Sequence, residues 1–348
     1  MTCAIICSIE QWRIVSELGA LAAVSAIISA GIIVALRPVL TRYALARPNA
    51  RSSHSNPTPQ GGGIAVIAAT IISVASGVII VPNLAAEPIH LAVILAVVIG
   101  IAVVGATDDV RPMEALPRLV LQSMAVLIVI GTLPTDMRIL PVLPWWIERA
   151  LLVIGSVWFV NLVNFMDGID WMTVAEVVPV TIGLVVIGIL DALPSDGMIM
   201  AIALCGALIG FAPFNRPVAR LFLGDVGSLP IGLLIAWLLI LVAGRGYITA
   251  AILLPLYYVA DTTITLLRRL MNGEPITQAH RSHFYQRAMD SGFSVNQIVG
   301  HVFVVNIILV GLAFLSVLNT SRTFNVAAIT GGSALVGALL WKFNRAYR

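Results

Sequence analysis

Residues 158–171 read WFVNLVNFMDGIDW, and the fold turns on how that stretch is taken. An apolar run leads into it. Asn161, Asn164, Asp167 and Asp170 then arrive three residues apart, with Gly168 between the two carboxylates. At the end of a hydrophobic segment this is expensive, because a charged side chain at the centre of a bilayer helix costs ~2.5–3.5 kcal/mol on insertion scales. Such residues persist where they face a wet cavity, a partner charge or a metal ion. Positions three apart on a helix are neighbours. At ~100° per residue, however, each such step slips about 60° backwards, so the four groups drift off one face. The register predicts either a tightening toward 3₁₀ geometry or a helix that stops at Gly168 and leaves Asp170 on the following loop. A helix C-terminus with solvated loop acids is the plainer alternative.

The rest of the chain supports a membrane setting. Of its 348 residues 59% are hydrophobic and 11% charged, whereas soluble domains carry about 25% charged residues. The mean hydropathy is +1.00. Windows of about 20 apolar residues predict an all-α, polytopic integral membrane protein of about eleven transmembrane helices. The windows lie near 18–36, 62–81, 88–106, 118–133, 149–165, 173–190, 197–213, 226–243, 247–266, 298–317 and 324–341. Residues 1–348 form a single multi-span domain, with no internal repeat. The first window lacks a basic leader and is long enough to span, which predicts a retained helix rather than a cleaved signal. Cys3, Cys7 and Cys205 show neither a disulfide framework nor metal spacing. The net charge of +3 points to no nucleic-acid partner, since basic residues held on one membrane face account for it.

Orientation follows from the same residues. Fifteen of the twenty Lys and Arg fall in alternate connections, among them Arg42, Arg111, Arg118, Arg216, Arg268 and Arg281. This bias predicts that those connections are cytoplasmic, the N-terminus outside and the C-terminus inside. Loops 37–61, 107–117, 166–172, 214–225 and 267–297 then share the inner face and form the expected active site. They carry Asp108 and Asp109 in GATDDV, Asp167 and Asp170, Asp225 in LFLGDVGSLP, and His280, Arg281 and His283 in QAHRSHFYQR. Asp261 sits near the inner end of the ninth window, and PTPQGGG (57–63) opens the second. The outer connections hold only scattered acids.

Each feature has a structural alternative. Asp108 and Asp109 could start a solvated loop, Asp225 could cap the eighth helix, and Asp261 could pair with Arg268. His280 and His283 could be ordinary loop residues. Carboxylates gathered in one place nevertheless need a cation to coexist, and an oxygen-only ligand set suits Mg²⁺ or Mn²⁺. Mg²⁺ takes one or two carboxylates plus substrate phosphates, and Arg281 offers a fork for phosphate oxygens. Metal, acids and a basic His/Arg loop at a membrane surface point to phosphoryl transfer between a soluble nucleotide and a lipid phosphate. A transporter or flippase for a lipid-linked or anionic solute is the alternative. Transporters tend to place charges near the midplane and to show inverted repeats.

From Arg51 to about Gly292 the chain resembles the polyprenyl-phosphate N-acetylhexosamine-1-phosphate transferases, bacterial membrane enzymes that begin glycan assembly. The resemblance rests on RSSHSNPTPQGGG, GATDDV, NLVNFMDGIDW, FNRPVARLFLGDVGSLPIG and the His loop, in that order. It implies ten or eleven helices in the bacterial inner membrane with a site open to the cytoplasm. It also implies a Mg²⁺-dependent transfer of a sugar 1-phosphate from UDP-N-acetylhexosamine to polyprenyl (undecaprenyl) phosphate, releasing UMP. Asp108, Asp109 and Asp167 are the implied catalytic residues. Asn161, Asn164, Asp170, His280, Arg281 and His283 are the implied substrate contacts. Asp225, with Asp109, is the implied Mg²⁺ ligand, and Mn²⁺ could serve in its place. A homodimer stays open, and Asp261 receives no role. HRSHFYQ stands where the branch that transfers phospho-N-acetylmuramoyl-pentapeptide has three consecutive histidines, so the resemblance leans to the branch that starts O-antigen and other surface polysaccharides. Gln60 stands where relatives often place Arg.

Overall fold

The computed structural model describes residues 2–46, 57–80, 87–275 and 280–345, with side chains described from residue 16 onward. Arg47, Arg51 and the first part of the RSSHSNPTPQGGG motif lie outside the described residues, as do 276–279 of the His loop. Thirteen helices follow in order: α1 (Thr2–Tyr43), α2 (Gly62–Ile80), α3 (Pro88–Val110), α4 (Ala115–Gly131), α5 (Trp145–Met166), α6 (Met172–Gly188), α7 (Ser195–Phe211), α8 (Asp225–Gly244), α9 (Ile248–Leu253), α10 (Leu256–Met271), α11 (Phe284–Asp290), α12 (Val295–Leu318) and α13 (Arg322–Arg345). A two-residue antiparallel ladder joins β1 (Leu45–Ala46) to β2 (Thr58–Pro59). Among the described residues seven helices are long and apolar enough to cross a bilayer, namely α2, α3, α5, α8, α12, α13 and the Ser16–Tyr43 part of α1. The apolar helices α4, α6 and α7 are shorter. The protein is an all-α, multi-pass membrane protein.

Ten of the expected windows each coincide with one helix. The ninth, near 247–266, is broken into α9 and α10 on either side of Leu254 and Pro255. Proline has no N–H to donate and its ring crowds the preceding turn, so the helix stops and restarts.

The bundle is organised around α8. Its apolar window is wholly buried inside the protein, against 22% to 44% for the other six long helices, which turn much of their surface outward. Exposed residues such as Ile79, Ile89, Leu116, Leu127 and Ile154 form that outward surface, suited to lipid. Helices in a bilayer gain little from apolar burial between them and depend on close packing at small residues. A Cβ on Gly63 of α2 would lie 2.2 Å from the Gly227 Cα of α8, and one on Gly105 of α3 would lie 2.2 Å from the Asp225 carbonyl oxygen. Glycine at these two positions lets α2 and α3 press against the first turn of α8. The PQGGG segment continues the contact: Gly62 and Gly63 donate backbone N–H groups to the Phe222 and Leu223 carbonyls, each at 2.8 Å.

At the far end of the bundle the acids are individually committed. Arg138 Nε donates to Glu148 Oε2 at 2.6 Å, and the Ile139 N–H donates to Glu148 Oε1 at 2.6 Å. Arg245 donates to Asp191 at 2.6 Å, and Asp196 accepts the Glu87 N–H at 3.2 Å. Inside the bundle, Asn306 of α12 donates to the buried Glu176 of α6 at 2.6 Å and ties those two helices.

Candidate active site

At the opposite end, α2, α3, α5 and α8 bring their polar termini together. The α5 helix ends at Met166, Asp167 caps its C-terminus, and Asp170 lies on the loop that follows. This is the stopping point at Gly168 that the spacing allows. Trp171 adopts a left-handed backbone, φ 63°, before α6 begins. Two hydrogen bonds hold it there: its N–H donates to Asn215 Oδ1 at 2.8 Å and its indole Nε1 to the Ala212 carbonyl at 2.7 Å. Asp170 accepts the Ala219 N–H at 2.9 Å, so this acid secures the 212–224 loop.

Asp109 clasps the start of α8. Its Oδ1 accepts the Asp225 N–H at 2.9 Å and its Oδ2 accepts the Val226 N–H at 3.0 Å. The first N–H groups of a helix have no partners of their own, and a carboxylate there also meets the positive end of the helix dipole. Gly224 precedes with φ 77° and leaves no room for a side chain, since a Cβ would sit 2.5 Å from Asp109 Oδ2. The cap expected of Asp225 thus comes from Asp109, one helix away. This frees the Asp225 carboxylate: its Oδ1 accepts from Asn164 Nδ2 at 2.7 Å, and its Oδ2 lies 3.7 Å from Arg118 Nη1. Asn164 also donates to Ser228 Oγ at 2.9 Å. The same Arg118 nitrogen donates to Asp108 Oδ2 at 2.7 Å, and Asp108 Oδ1 accepts the Met113 N–H at 2.6 Å. One guanidinium therefore bridges two carboxylates that would otherwise repel. Gln60 donates to the Asp109 backbone carbonyl at 2.7 Å, which joins the PQGGG segment to the site.

Asp167 is half-buried and accepts from Thr173 Oγ1 at 2.5 Å. Burial is the largest influence on its carboxyl. With the Asp109 and Asp170 charges it outweighs the Thr173 hydrogen bond and pushes the group up to about 7.

The His loop packs against the end of α5. Tyr285 donates to the Phe165 carbonyl at 3.1 Å. Gly168 leaves the space that its hydroxyl fills, because a Cβ there would lie 2.0 Å from Tyr285 Oη. His280 and His283 stack with ring centroids 4.9 Å apart, and Ser282 Oγ meets His280 Nδ1 at 2.9 Å. Burial lowers His280 to about 4, with the His283 ring and the Arg269 and Arg268 charges adding to it. Because the unfolded chain takes up a proton near 6.5 and the folded one only near 4, His280 makes stability fall as pH drops through that window. His280→Gln is expected to reduce this loss, read as a smaller decline in Tm between pH 6.5 and 4 for purified protein.

The acids Asp108, Asp109, Asp167 and Asp225 and the amide Asn164 thus meet in one place. Asn161 turns away: its Nδ2 donates to Gln122 Oε1 on α4 at 2.7 Å and to the Val157 carbonyl. Arg281 Nη2 pairs with Asp290 at 3.0 Å rather than reaching inward. Arg268, one partner considered for Asp261, donates instead to the Ser282 carbonyl at 2.8 Å. Sequence reasoning missed Arg118 as a bridge, Tyr285 as the bolt between loops, and Thr173. Only Arg118 carried a signal, as a charge placed at the entry of an apolar helix.

Residues 91–243, which span α3 to α8, match the family model described as Glycosyl transferase family 4. A Bacillus subtilis protein named a probable undecaprenyl-phosphate N-acetylglucosaminyl 1-phosphate transferase is 26% identical over 309 residues, covering 82% of this chain and 84% of its own. The decaprenyl-phosphate N-acetylglucosaminephosphotransferase of Mycobacterium leprae is 27% identical over 336 residues, covering 85% and 84%. The phospho-N-acetylmuramoyl-pentapeptide-transferase of Enterococcus faecalis is 34% identical, over 34% of this chain and 36% of its own. The matched segment contains every acid that converges on α8, and over that segment this multi-pass membrane protein is similar to glycosyl transferase family 4.

Proposed function

We propose that the protein transfers an N-acetylhexosamine 1-phosphate from a UDP-N-acetylhexosamine to polyprenyl phosphate, of the undecaprenyl type. UMP leaves and a polyprenyl-diphospho-sugar stays in the bilayer. The observation that carries this reading is the meeting of Asp108, Asp109 and Asp225 at the first turn of α8, beside a His loop bolted to the end of α5.

In the reaction, an oxygen of the lipid phosphate bonds to the β-phosphorus of the donor. The bond from that phosphorus to the oxygen shared with the α-phosphate breaks, and its electron pair departs on UMP. The residues present fit Mg²⁺, or Mn²⁺. Asp225 and Asp108 are two carboxylates close enough to share one Arg118 nitrogen, so a cation already sits between them. An ion of this kind would complete its shell from substrate phosphates. Asp225 with Asp108 would hold such an ion, in place of the Asp225–Asp109 pair that the resemblance implies, because both Asp109 oxygens accept α8 N–H groups; the ion would supply neutralising charge for the donor diphosphate and the departing UMP.

The chain's own groups do the positioning. Asp108 orients the lipid phosphate, which is already largely ionised at neutral pH, so alignment matters more than deprotonation. Asp167, near 7, is matched to proton exchange at neutrality. Asn164 fixes the Asp225 carboxylate. His280 and His283 meet the diphosphate. The charge bias supports eleven passes in a bacterial inner membrane, with the N-terminus outside and this site facing the cytoplasm. HRSHFYQ supports the branch that starts surface polysaccharides such as O-antigen.

The test incubates membranes with polyprenyl phosphate, Mg²⁺ and a panel of UDP-sugars. UMP release with one N-acetylhexosamine donor is the expected result. Solute uptake into vesicles with no UMP release would favour the transporter. His283→Ala is expected to raise the KM for the UDP-sugar about tenfold or more, and unchanged kinetics would leave the loop a purely structural element.

A further inference from the structure

We propose that Asp261 is the positioning residue of the His loop: it holds His283 in the Nδ1–H tautomer and so presents Nε2 as the face offered to the donor diphosphate. This deepens the transferase reading and rests on it.

Asp261 is fully buried on α10, and five donors converge on it. His283 Nδ1 lies 3.1 Å from Oδ1, and the Phe284 N–H donates to the same oxygen at 3.1 Å. The Tyr285 N–H donates to Oδ2 at 3.3 Å, as does the Tyr257 hydroxyl at 3.3 Å. Thr265 Oγ1 completes the set at 3.4 Å. The two backbone donors are the first residues of α11, and His283 is its N-cap residue. One carboxylate therefore does three things: it caps α11 from a neighbouring helix, aligns the loop, and fixes an imidazole. A buried carboxylate is costly unless its oxygens are hydrogen-bonded, and here they are.

The chemistry then sets the tautomer. A carboxylate accepts and does not donate, so the imidazole nitrogen facing Asp261 carries the proton. His283 is 2% exposed, and Nδ1 is the ring nitrogen that meets Asp261. Among the described residues Asp261 is the charged group paired with this ring. His280 stacks on one side, Tyr285 lies 5.7 Å away on its ring centroid, and Phe165 closes the α5 side at 6.4 Å. Arg281 is paired with Asp290, and Arg268 is spent on Ser282. Through Tyr285, which also reaches the Phe165 carbonyl, the same carboxylate sets the distance between the His loop and the acids.

The test uses full-length protein in detergent or nanodiscs, labelled with ¹⁵N-histidine, with His283→Ala assigning the signal. Wild-type protein is expected to show the Nδ1–H tautomer at His283, and Asp261→Asn a shift toward Nε2–H. With the enzyme assay, Asp261→Asn is expected to raise the KM for the UDP-sugar about 10–100-fold, as loss of an outer orienting partner does. Adding Asp261→Asn to His283→Ala is expected to cost no more in KM than His283→Ala alone. An Nε2–H tautomer in the wild type overturns the proposal, and so does a wild-type KM in Asp261→Asn or additive losses in the double variant. If Asp261→Asn does not fold, the wild-type spectrum decides. If the wild type releases no UMP from any donor, the transferase reading fails while the tautomer is still read by NMR.

Discussion

Asp225→Asn is expected to lower UMP release by roughly two to four orders of magnitude while the protein inserts and folds as before. The substitution keeps shape and removes charge. The Asp225 backbone N–H still meets Asp109, so the cap of α8 survives. The Asn164 amide still finds an oxygen acceptor at the altered side chain. What is lost is the carboxylate whose Oδ2 faces Arg118 and Asp108. Removing a charge at the end of a bilayer helix lowers rather than raises the cost of insertion. Two measurements check this: UMP release normalised to membrane-inserted protein, and the rise in Tm on adding Mg²⁺, which binding to the folded state alone produces. The variant is expected to lose both. Full activity with an unchanged Mg²⁺ response would remove Asp225 from the ion site.

The second large effect is steric. Gly105→Ala places a methyl group 2.2 Å from the Asp225 carbonyl oxygen and 2.6 Å from the Val226 nitrogen, and backbone atoms cannot rotate aside. Forcing a methyl group into a well-packed interior costs about 1–3 kcal/mol. The site is hurt more than the fold, because α3 carries Asp108 and Asp109 and α8 carries Asp225. A misplacement of about 1 Å between reacting groups can cost 10²-fold in rate. Gly100→Ala, on the same helix, meets nothing within 4 Å and serves as the control. The expected outcome is a lower Tm and at least a tenfold loss of UMP release for Gly105→Ala, with neither in Gly100→Ala. Equal behaviour of the two variants would mean that the α3–α8 contact does not set the site.

The convergence of acids was legible because polar side chains at the ends of apolar runs have few places to go. Asp108, Asp167 and Asp225 each terminate or open a helix, and the charge bias put them on one face. Asp170 on a loop was one of two outcomes open to it, since three-residue spacing leaves register either by tightening toward 3₁₀ or by ending the helix. Partnerships were not. Nothing in GATDDV says that Asp109 caps a helix more than a hundred residues away, or that Asp108 shares an arginine with Asp225. Asn161 and Asn164 look alike in NLVNFM, yet the rotation between them sends one to Gln122 and the other to Asp225. Asp261 was left without a role for a similar reason: Arg268 is near in sequence, whereas most of the donors that hold it come from the His loop and the next helix. The break at Pro255 did carry a signal, since a proline inside an apolar window marks a stop, but the surrounding leucines and tyrosines hid it.

The wholly enclosed position of α8 bears on how this protein meets its surroundings. The element that begins at Asp225 touches protein on all sides, so thinning, thickening or altering the acyl chains acts first on the outer ring of helices. Bilayer thickness therefore reaches Asp225 only through the outer helices, whose inner ends carry Asp108, Asp109 and Asp167, so turnover is expected to follow the tilt of α3 and α5 as acyl-chain length is varied.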